Sequence, residues 1–307
     1  MNWKKLGLVY CAAREQPWAQ SHALLPTSMM LDEESIRVYV AFLDADRVGR
    51  IGFVDLDAND PLRVRRVSDR PVLDVGAPGG FDEHGVNPLC VLQCEDKTYL
   101  YYYGWQLGDT VRYYLFTGLA VSDDRGCTFH RHTRVPILDR SDGERFVRSA
   151  ANVLFDDGQW KMWYVSGDRW IDIDGKQLPT YDIRYLESSD PAVWGKRGTE
   201  CLQLANEDEF GLGRPFVMRD RDVFKMWYSI RTISKGYRLG YAESPDGREW
   251  QRKDSEVGID VSDAGWDSEM ICYSCIQETK YGTYMFYNGN NYGETGFGIA
   301  VLQSNAK

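Results

Sequence analysis

Five short polar stretches, each running into an apolar one, carry the residues best suited to chemistry. They are QSHALLP (20–26), FDEHGVNP (81–88), GERFVRSAAN (143–152), FGLGRP (210–215) and WDSEMICY (266–273). Two share the pattern H-x-x-x-P, which sets His22 and His84 at matching positions. Together they hold Asp82, Glu83, Glu144, Asp267 and Glu269, the arginines Arg148 and Arg214, and Asn87 and Tyr273, with Trp18, Trp105 and Trp170 close by. A sugar site needs this mixture. Hydroxyls bond to Asp, Glu, Arg and Asn, and the C–H face of the ring stacks on Trp or Tyr. Glycoside cleavage needs two carboxyls, one protonated to assist the leaving oxygen and one ionised. Glu269 lies between a Trp-Asp pair and an apolar run, where partial burial would raise its pKa, so it is the expected general acid. Glu83 or Asp82 is the expected base or nucleophile. His22, His84, Asn87, Trp105, Arg148, Arg214, Asp267, Tyr273 and Asn288 are the expected substrate-binding set. Each also has a plainer use. A carboxylate here would serve as a solvated turn residue, Arg214 before Pro215 as a bridge, and the two histidines as hydrogen bonds between repeated units.

Those stretches recur because the elements behind them recur. Aromatic strands appear at TYLYYYGW (98–105), WKMWYVSG (160–167), FKMWYSIR (224–231) and TYMFYNGN (283–290), with a weaker IRVYVAFL at 36–43. Aligning Tyr101, Met162, Met226 and Met285 gives spacings of 61, 64 and 59 residues. Each aromatic strand follows an apolar run and precedes a third strand, such as FTGLAVS (116–122) or YRLGYAES (237–244). Next comes a turn, SDDRGCTF (122–129), SSDPAVW (188–194) or SPDGREW (244–250), leading to a short fourth strand. In this turn Asp accepts backbone N–H bonds, Gly takes positive φ, and the closing Trp or Phe plugs the gap between neighbouring sheets. Helical periodicity is nearly absent. The expected fold is therefore all-β, a single domain over 1–307: a five-bladed β-propeller of four-stranded antiparallel blades. The last unit stops at Ser304, while the sequence opens with Trp3-Lys4-Lys5, much like Trp250-Gln251-Arg252. Residues 3–11 are expected to supply the missing outer strand and close the ring.

Composition narrows the partners. The 307 residues carry a net charge of −10, which repels a phosphate backbone, so nucleic acid is not expected. No apolar run is long enough to cross a bilayer as a helix, and no membrane partner is expected. Four His and no zinc-type spacing point to no metal and no cofactor. Among the seven Cys, the close pairs Cys90/Cys94 and Cys272/Cys275 lie in strand-like runs and read as buried thiols of a cytoplasmic protein. Oligomeric state is left open.

WDSEM, GRPF, the KMWY strands and SPDGREW together resemble the five-bladed β-propeller glycosidase-like superfamily, which includes glycoside hydrolase families 43, 32, 68 and 130. The resemblance is to a branch associated with bacterial surface-polysaccharide loci. It implies a funnel-shaped site at the channel mouth and acidic residues from the first strands. The sequence departs from the pattern of families 43 and 32, for His22 stands where a first-blade Asp is expected and Arg148 lies in the third entrance. The expected function is cleavage or transfer of a glycosyl group on an acidic, phosphorylated or nucleotide-linked sugar. The alternative is a propeller that binds a glycan or nucleotide sugar without cleaving it.

Overall fold

The computed structural model describes residues 1–14 and 16–303; Ser304, expected at the end of the last strand, lies outside them. Strand β1 (Trp3–Tyr10) precedes a meander of β2 (Ser21–Asp32), β3 (Ser35–Leu43), β4 (Gly49–Asp57) and β5 (Val64–Val67). The next meander is β6 (Val86–Cys94), β7 (Lys97–Leu107), β8 (Tyr113–Ser122) and β9 (His130–Arg131). Then follow β10 (Val147–Asp156), β11 (Gln159–Ile173), β12 (Lys176–Ser188) and β13 (Thr199–Leu202). After them come β14 (Glu209–Asp220), β15 (Val223–Thr232), β16 (Arg238–Ser244) and β17 (Gln251–Arg252). The chain ends its regular structure with β18 (Cys272–Thr279), β19 (Gly282–Asn288) and β20 (Phe297–Leu302), and β1 adds antiparallel to β20. Every meander is antiparallel, and the β10–β13 and β14–β17 groups also meet through one parallel pairing, Tyr181 with Gly211.

The second strand of each meander is buried on both faces, because neighbouring sheets pack against it from either side. Ile36, Val38, Tyr39, Val40, Ala41 and Phe42 are all fully buried, as are Met162, Trp163 and Tyr164. Aromatic and β-branched residues fill such a position best. First strands sit side by side: β2 touches β18 and β6, β6 touches β10, β10 touches β14, and β14 touches β18.

The turns behave as their sequence requires. The Asp124 carboxylate accepts the N–H groups of Cys127 and Thr128, and Gly126 has φ +76°. Asp246 accepts those of Arg248 and Glu249 beside Gly247 at φ +77°. A carbonyl of each turn receives a hydrogen bond from the neighbouring sheet. Tyr39 Oη donates to Gly126 O at 2.8 Å, Tyr101 Oη to Pro191 O at 3.0 Å, and Trp163 Nε1 to Gly247 O at 2.7 Å. Phe129 closes edge-on against Tyr39, and Trp250 against Trp163.

One register needs correction. Met162, Met226 and Met285 pair with Leu186, Ala242 and Ala300, and the matching residue in β7 is Leu100, paired with Ala120. Tyr101 is instead the counterpart of Trp163. Three consecutive tyrosines and no Met hid the one-residue offset. Of the two close cysteine pairs, Cys90, Cys272 and Cys275 are buried and Cys94 is half-buried; all are free thiols. No helix of the described residues is long and apolar enough to cross a membrane.

Candidate functional site

Each first strand is bulged near its start. The register slips between Leu24 and Thr27, Pro88 and Cys90, Ser149 and Asn152, Gly213 and Phe216, and Cys272 and Cys275. Leu25, Ala150, Arg214 and Tyr273, in four of these slips, take φ of +57°, +55°, +43° and +58°. A bulge with left-handed backbone re-aims side chains and is found next to sites. Two of these residues carry chemistry, Arg214 and Tyr273, and no slipped position holds a carboxylate.

Arg214 does not face open solvent. Its Nη1 donates to Tyr273 O (3.0 Å) and Ser274 O (2.6 Å), and its Nη2 to Pro26 O (2.8 Å) and Thr27 Oγ1 (2.7 Å). It ties β14 to β18 and β2 beneath the mouth, so the bridging use is the one its geometry fits. Asn288, fully buried, is likewise spent: its Oδ1 accepts Leu25 N–H and its Nδ2 donates to Ala23 O and Gly296 O.

The expected carboxylates divide into two kinds. Asp82 is 2% exposed and accepts bonds from Tyr102 Oη (3.0 Å) and Arg131 Nε (2.8 Å). Asp267, equally buried, accepts from Tyr287 Oη (3.0 Å) and Lys5 Nζ (2.7 Å). Glu144 accepts from Tyr164 Oη and from Arg148 Nε, whose other nitrogens donate to Asp139 O and Gly195 O. These are three versions of one clamp, an acid before the first strand holding the Tyr of the second strand and a base. Asp82, expected in catalysis, and Asp267 and Arg148, expected in substrate binding, are thus engaged in contacts that hold the sheets together. Clamp acids were indistinguishable from site acids in sequence because both precede the first strand.

Glu83 and Glu269 are of the other kind. Glu83 Oε2 accepts Gly79 N–H (2.7 Å), and this bond, with one from Gln106, holds its carboxyl below the usual range. Glu269 is exposed, not partly buried as expected; its main chain is pinned by Asn290 Oδ1 and Arg238. The histidines do not meet. His22 is 3% exposed beside Ser21 Oγ, and burial, then Arg47, lowers its pKa to about 4. His84 Nδ1 accepts Leu107 N–H on a half-exposed turn. Asn87 is buried with its Oδ1 against Gly49. Among the described residues no group of three His, Cys, Asp or Glu is placed to hold a metal.

What gathers at this end is aromatic. Trp105 stacks edge-on against Tyr113 at 4.9 Å, and Tyr113 lies 6.2 Å from Trp170. Tyr237 lies 6.1 Å from Tyr273 and 5.2 Å from Tyr292. Between these groups stands Arg231, its guanidinium 4.2 Å from the Phe210 ring centre, 4.6 Å from Tyr181 and 5.8 Å from Tyr237. Tyr103, Tyr181, Tyr237 and Tyr273 lie within electrostatic reach of one another and of Arg231. Burial pushes the Tyr181 phenol up to about 12 and those of Tyr103, Tyr237 and Tyr273 well above 10, so all four are neutral donors at pH 7. Phe210 also lines a groove of about 450 Å³ with Arg169, Thr180, Glu209 and Ile233, a volume of the size that takes a small ligand.

Tyr273, in a first-strand entrance, and Trp105, an aromatic near one, were expected here, whereas Arg231, Tyr181 and Tyr237 were not, because they belong to second- and third-strand segments away from the five entrances. In an antiparallel meander the end of the second strand and the start of the third share that same end, and β15 delivers Arg231 there.

No protein-family model matches the chain. It is 34% identical over 304 residues, 99% of this chain and all of the relative, to Uncharacterized protein Rv1502 of Mycobacterium tuberculosis (strain ATCC 25618 / H37Rv). The identity and coverage are the same for Uncharacterized protein MT1551 of strain CDC 1551 / Oshkosh. The chain belongs to the family of these two mycobacterial proteins. Among solved structures, BT0996 in its RGII complex has a TM-score of 0.75 at 19% identity, covering 99% of this protein and 94% of that one. The β-1,2-mannobiose phosphorylase of Listeria innocua, in complex with β-1,2-mannobiose, has 0.73 at 11%, covering 98% and 97%. A thermostable family-43 glycoside hydrolase has 0.70 at 17%, covering 94% and 93%. The protein shares their fold.

Proposed function

We propose that this protein is a carbohydrate-active propeller: five four-stranded blades closed by β1, with a saccharide held in the aromatic mouth and a glycosyl bond cleaved or transferred there. The observation that carries the reading is the cluster of Tyr181, Tyr237 and Tyr273 around Arg231, with Tyr113 linking Trp105 to it. Flat rings with neutral O–H groups suit the C–H faces and hydroxyls of a sugar. The adjacency of first strands all the way from β2 round to β18 supports the closed ring. The fold shared with a phosphorylase and a family-43 hydrolase supports glycosyl chemistry. With Asp82 spent in a clamp, Glu269 as acid and Glu83 as base or nucleophile are the pair left to carry it. The proposed sugar is acidic, phosphorylated or nucleotide-linked, and the proposed location is the cytoplasm.

A second reading, binding without cleavage, has its own support. No slipped first-strand position bears an acid, and Glu269 is exposed. Mass spectrometry after incubation with glycans, sugar phosphates and nucleotide sugars separates the two. Turnover is expected for the wild type and is expected to fall at least about a hundredfold, the usual scale of acid–base assistance, in Glu269→Gln. A ligand that raises the melting temperature of both proteins without being turned over by either establishes the binding module instead. If no saccharide binds, both readings fail.

A further inference from the structure

We propose that Arg231 is the anion-recognition residue of the mouth, pairing with a carboxylate or phosphate carried by the sugar; the proposal rests on the saccharide reading above. Five arginines among the described residues are buried, and they differ in how their charge is met. Arg37 sits on Asp55 at 2.7 Å, Arg148 on Glu144, and Arg184 on Asp182 at 3.0 Å. Arg214 has no carboxylate, but four oxygens surround its guanidinium. Arg231 has neither. It is 4% exposed and makes a single hydrogen bond, Nη1 to Pro179 O at 3.0 Å. Its Nε is enclosed without a partner, and its Nη2 has none among the described residues.

A buried cation without a counterion is costly, and ring faces recover part of that cost. The fold is arranged to keep the cation where it is. Phe210 and Tyr181 give it their faces, and Gly211 leaves it room, since a Cβ there would come within 3.0 Å of Arg231 Cδ and 3.1 Å of its Nη1. The neighbouring phenols are neutral and cannot discharge it. In a chain of net charge −10, a buried guanidinium left with neither an acid nor a full set of oxygen acceptors is best explained by an acid that arrives with the ligand. Guanidinium pairs with planar carboxylate or with phosphate through two parallel bonds.

Calorimetry with galactose, galacturonic acid, galactose 1-phosphate and inorganic phosphate tests this on the wild type, Arg231→Met and Arg231→Lys. One of the two acidic sugars is expected to bind wild type at least about tenfold tighter than galactose, as a charge-assisted pair allows. Which of the two does so identifies the anion. Arg231→Met is expected to lose that margin, so that neither acidic sugar binds it more tightly than galactose does, and to melt no lower than wild type, because it removes an uncompensated charge. Arg231→Lys is expected to recover only part of the margin. Equal binding of galactose and both acids by the wild type overturns the proposal and leaves the saccharide reading intact. Binding of inorganic phosphate that depends on Arg231, with no sugar bound, supports the anion site and removes the saccharide reading. If Arg231→Met does not fold, Arg231→Lys decides: wild-type affinity for both acids in that variant overturns the proposal.

Discussion

Asp82 illustrates how one residue type serves two ends in this molecule. In sequence it stands beside Glu83, and the pair reads as site chemistry. In the fold the two point apart, Glu83 to the Gly79 amide at the surface and Asp82 inward to Tyr102 and Arg131. An acid holding a buried phenol and a base is a stability device, and removing it leaves the phenol without its acceptor and the base without its counterion. Asp82→Asn is therefore expected to cost about 2–4 kcal/mol, the scale for breaking a largely buried ion pair. Measured by chemical denaturation, that loss should come with unchanged ligand affinity; an unaltered midpoint together with lost binding would return Asp82 to the site. Much of the site was legible as a location but not as an inventory. Tyr273 was named from a first-strand entrance and Trp105 as an aromatic near one, while Arg231 was read as the polar end of a core strand, FKMWYSIR. Only the partners brought close in three dimensions separate an arginine that is paired from one that is waiting.

At the level of elements, the repeated turn is the best-predicted feature because its chemistry is local. Ser, Asp and Gly at fixed offsets close it without reference to the rest of the chain. What sequence did not disclose is that its carbonyl is also the peg for the neighbouring sheet. Tyr39 Oη sits where a Cβ on Gly126 would fall, 2.0 Å away, and Gly126 has φ +76°. Gly126→Ala therefore meets strain and collision together. A loss of roughly 2–4 kcal/mol is expected, combining left-handed strain with displacement of a buried hydrogen bond. The sister position Gly247 tests the reasoning. Its nearest obstacle is Trp163 Cζ2 at 2.9 Å, so Gly247→Ala should cost less. Equal losses at the two sites would mean that φ alone matters and the peg does not. Strand order was equally readable from the repeats, whereas register was not, because TYLYYY offers no unique residue to align.

For the whole molecule, the decisive contact is between residues far apart in the chain. β1 pairs with β20 from Trp3 opposite Leu302 to Tyr10 opposite Phe297. Trp3 meets Trp227 of the adjacent sheet edge-on, in the place where Trp250 meets Trp163 one sheet earlier. Lys5 then completes the clamp on Asp267 and Tyr287, as Arg131 does on Asp82 and Tyr102. Aromatic, any residue, base is thus the rule for the outer strand in Trp3-Lys4-Lys5, Phe129-His130-Arg131 and Trp250-Gln251-Arg252 alike. A segment that satisfies all three requirements of that position belongs to the sheet and is no loose tail. Deleting residues 1–11 removes the strand, the plug and the base together, and leaves β20 as an open edge. Loss of a buried Trp alone costs about 3–5 kcal/mol, and an exposed edge invites pairing between molecules. The truncated protein is expected to melt far below wild type and to self-associate on size exclusion, while Trp3→Ala, which keeps the strand, should lose stability without associating. A truncated protein that melts with the wild type and stays monodisperse would show that the remaining sheets hold their arrangement unaided, and that β1 decorates the last sheet without closing anything.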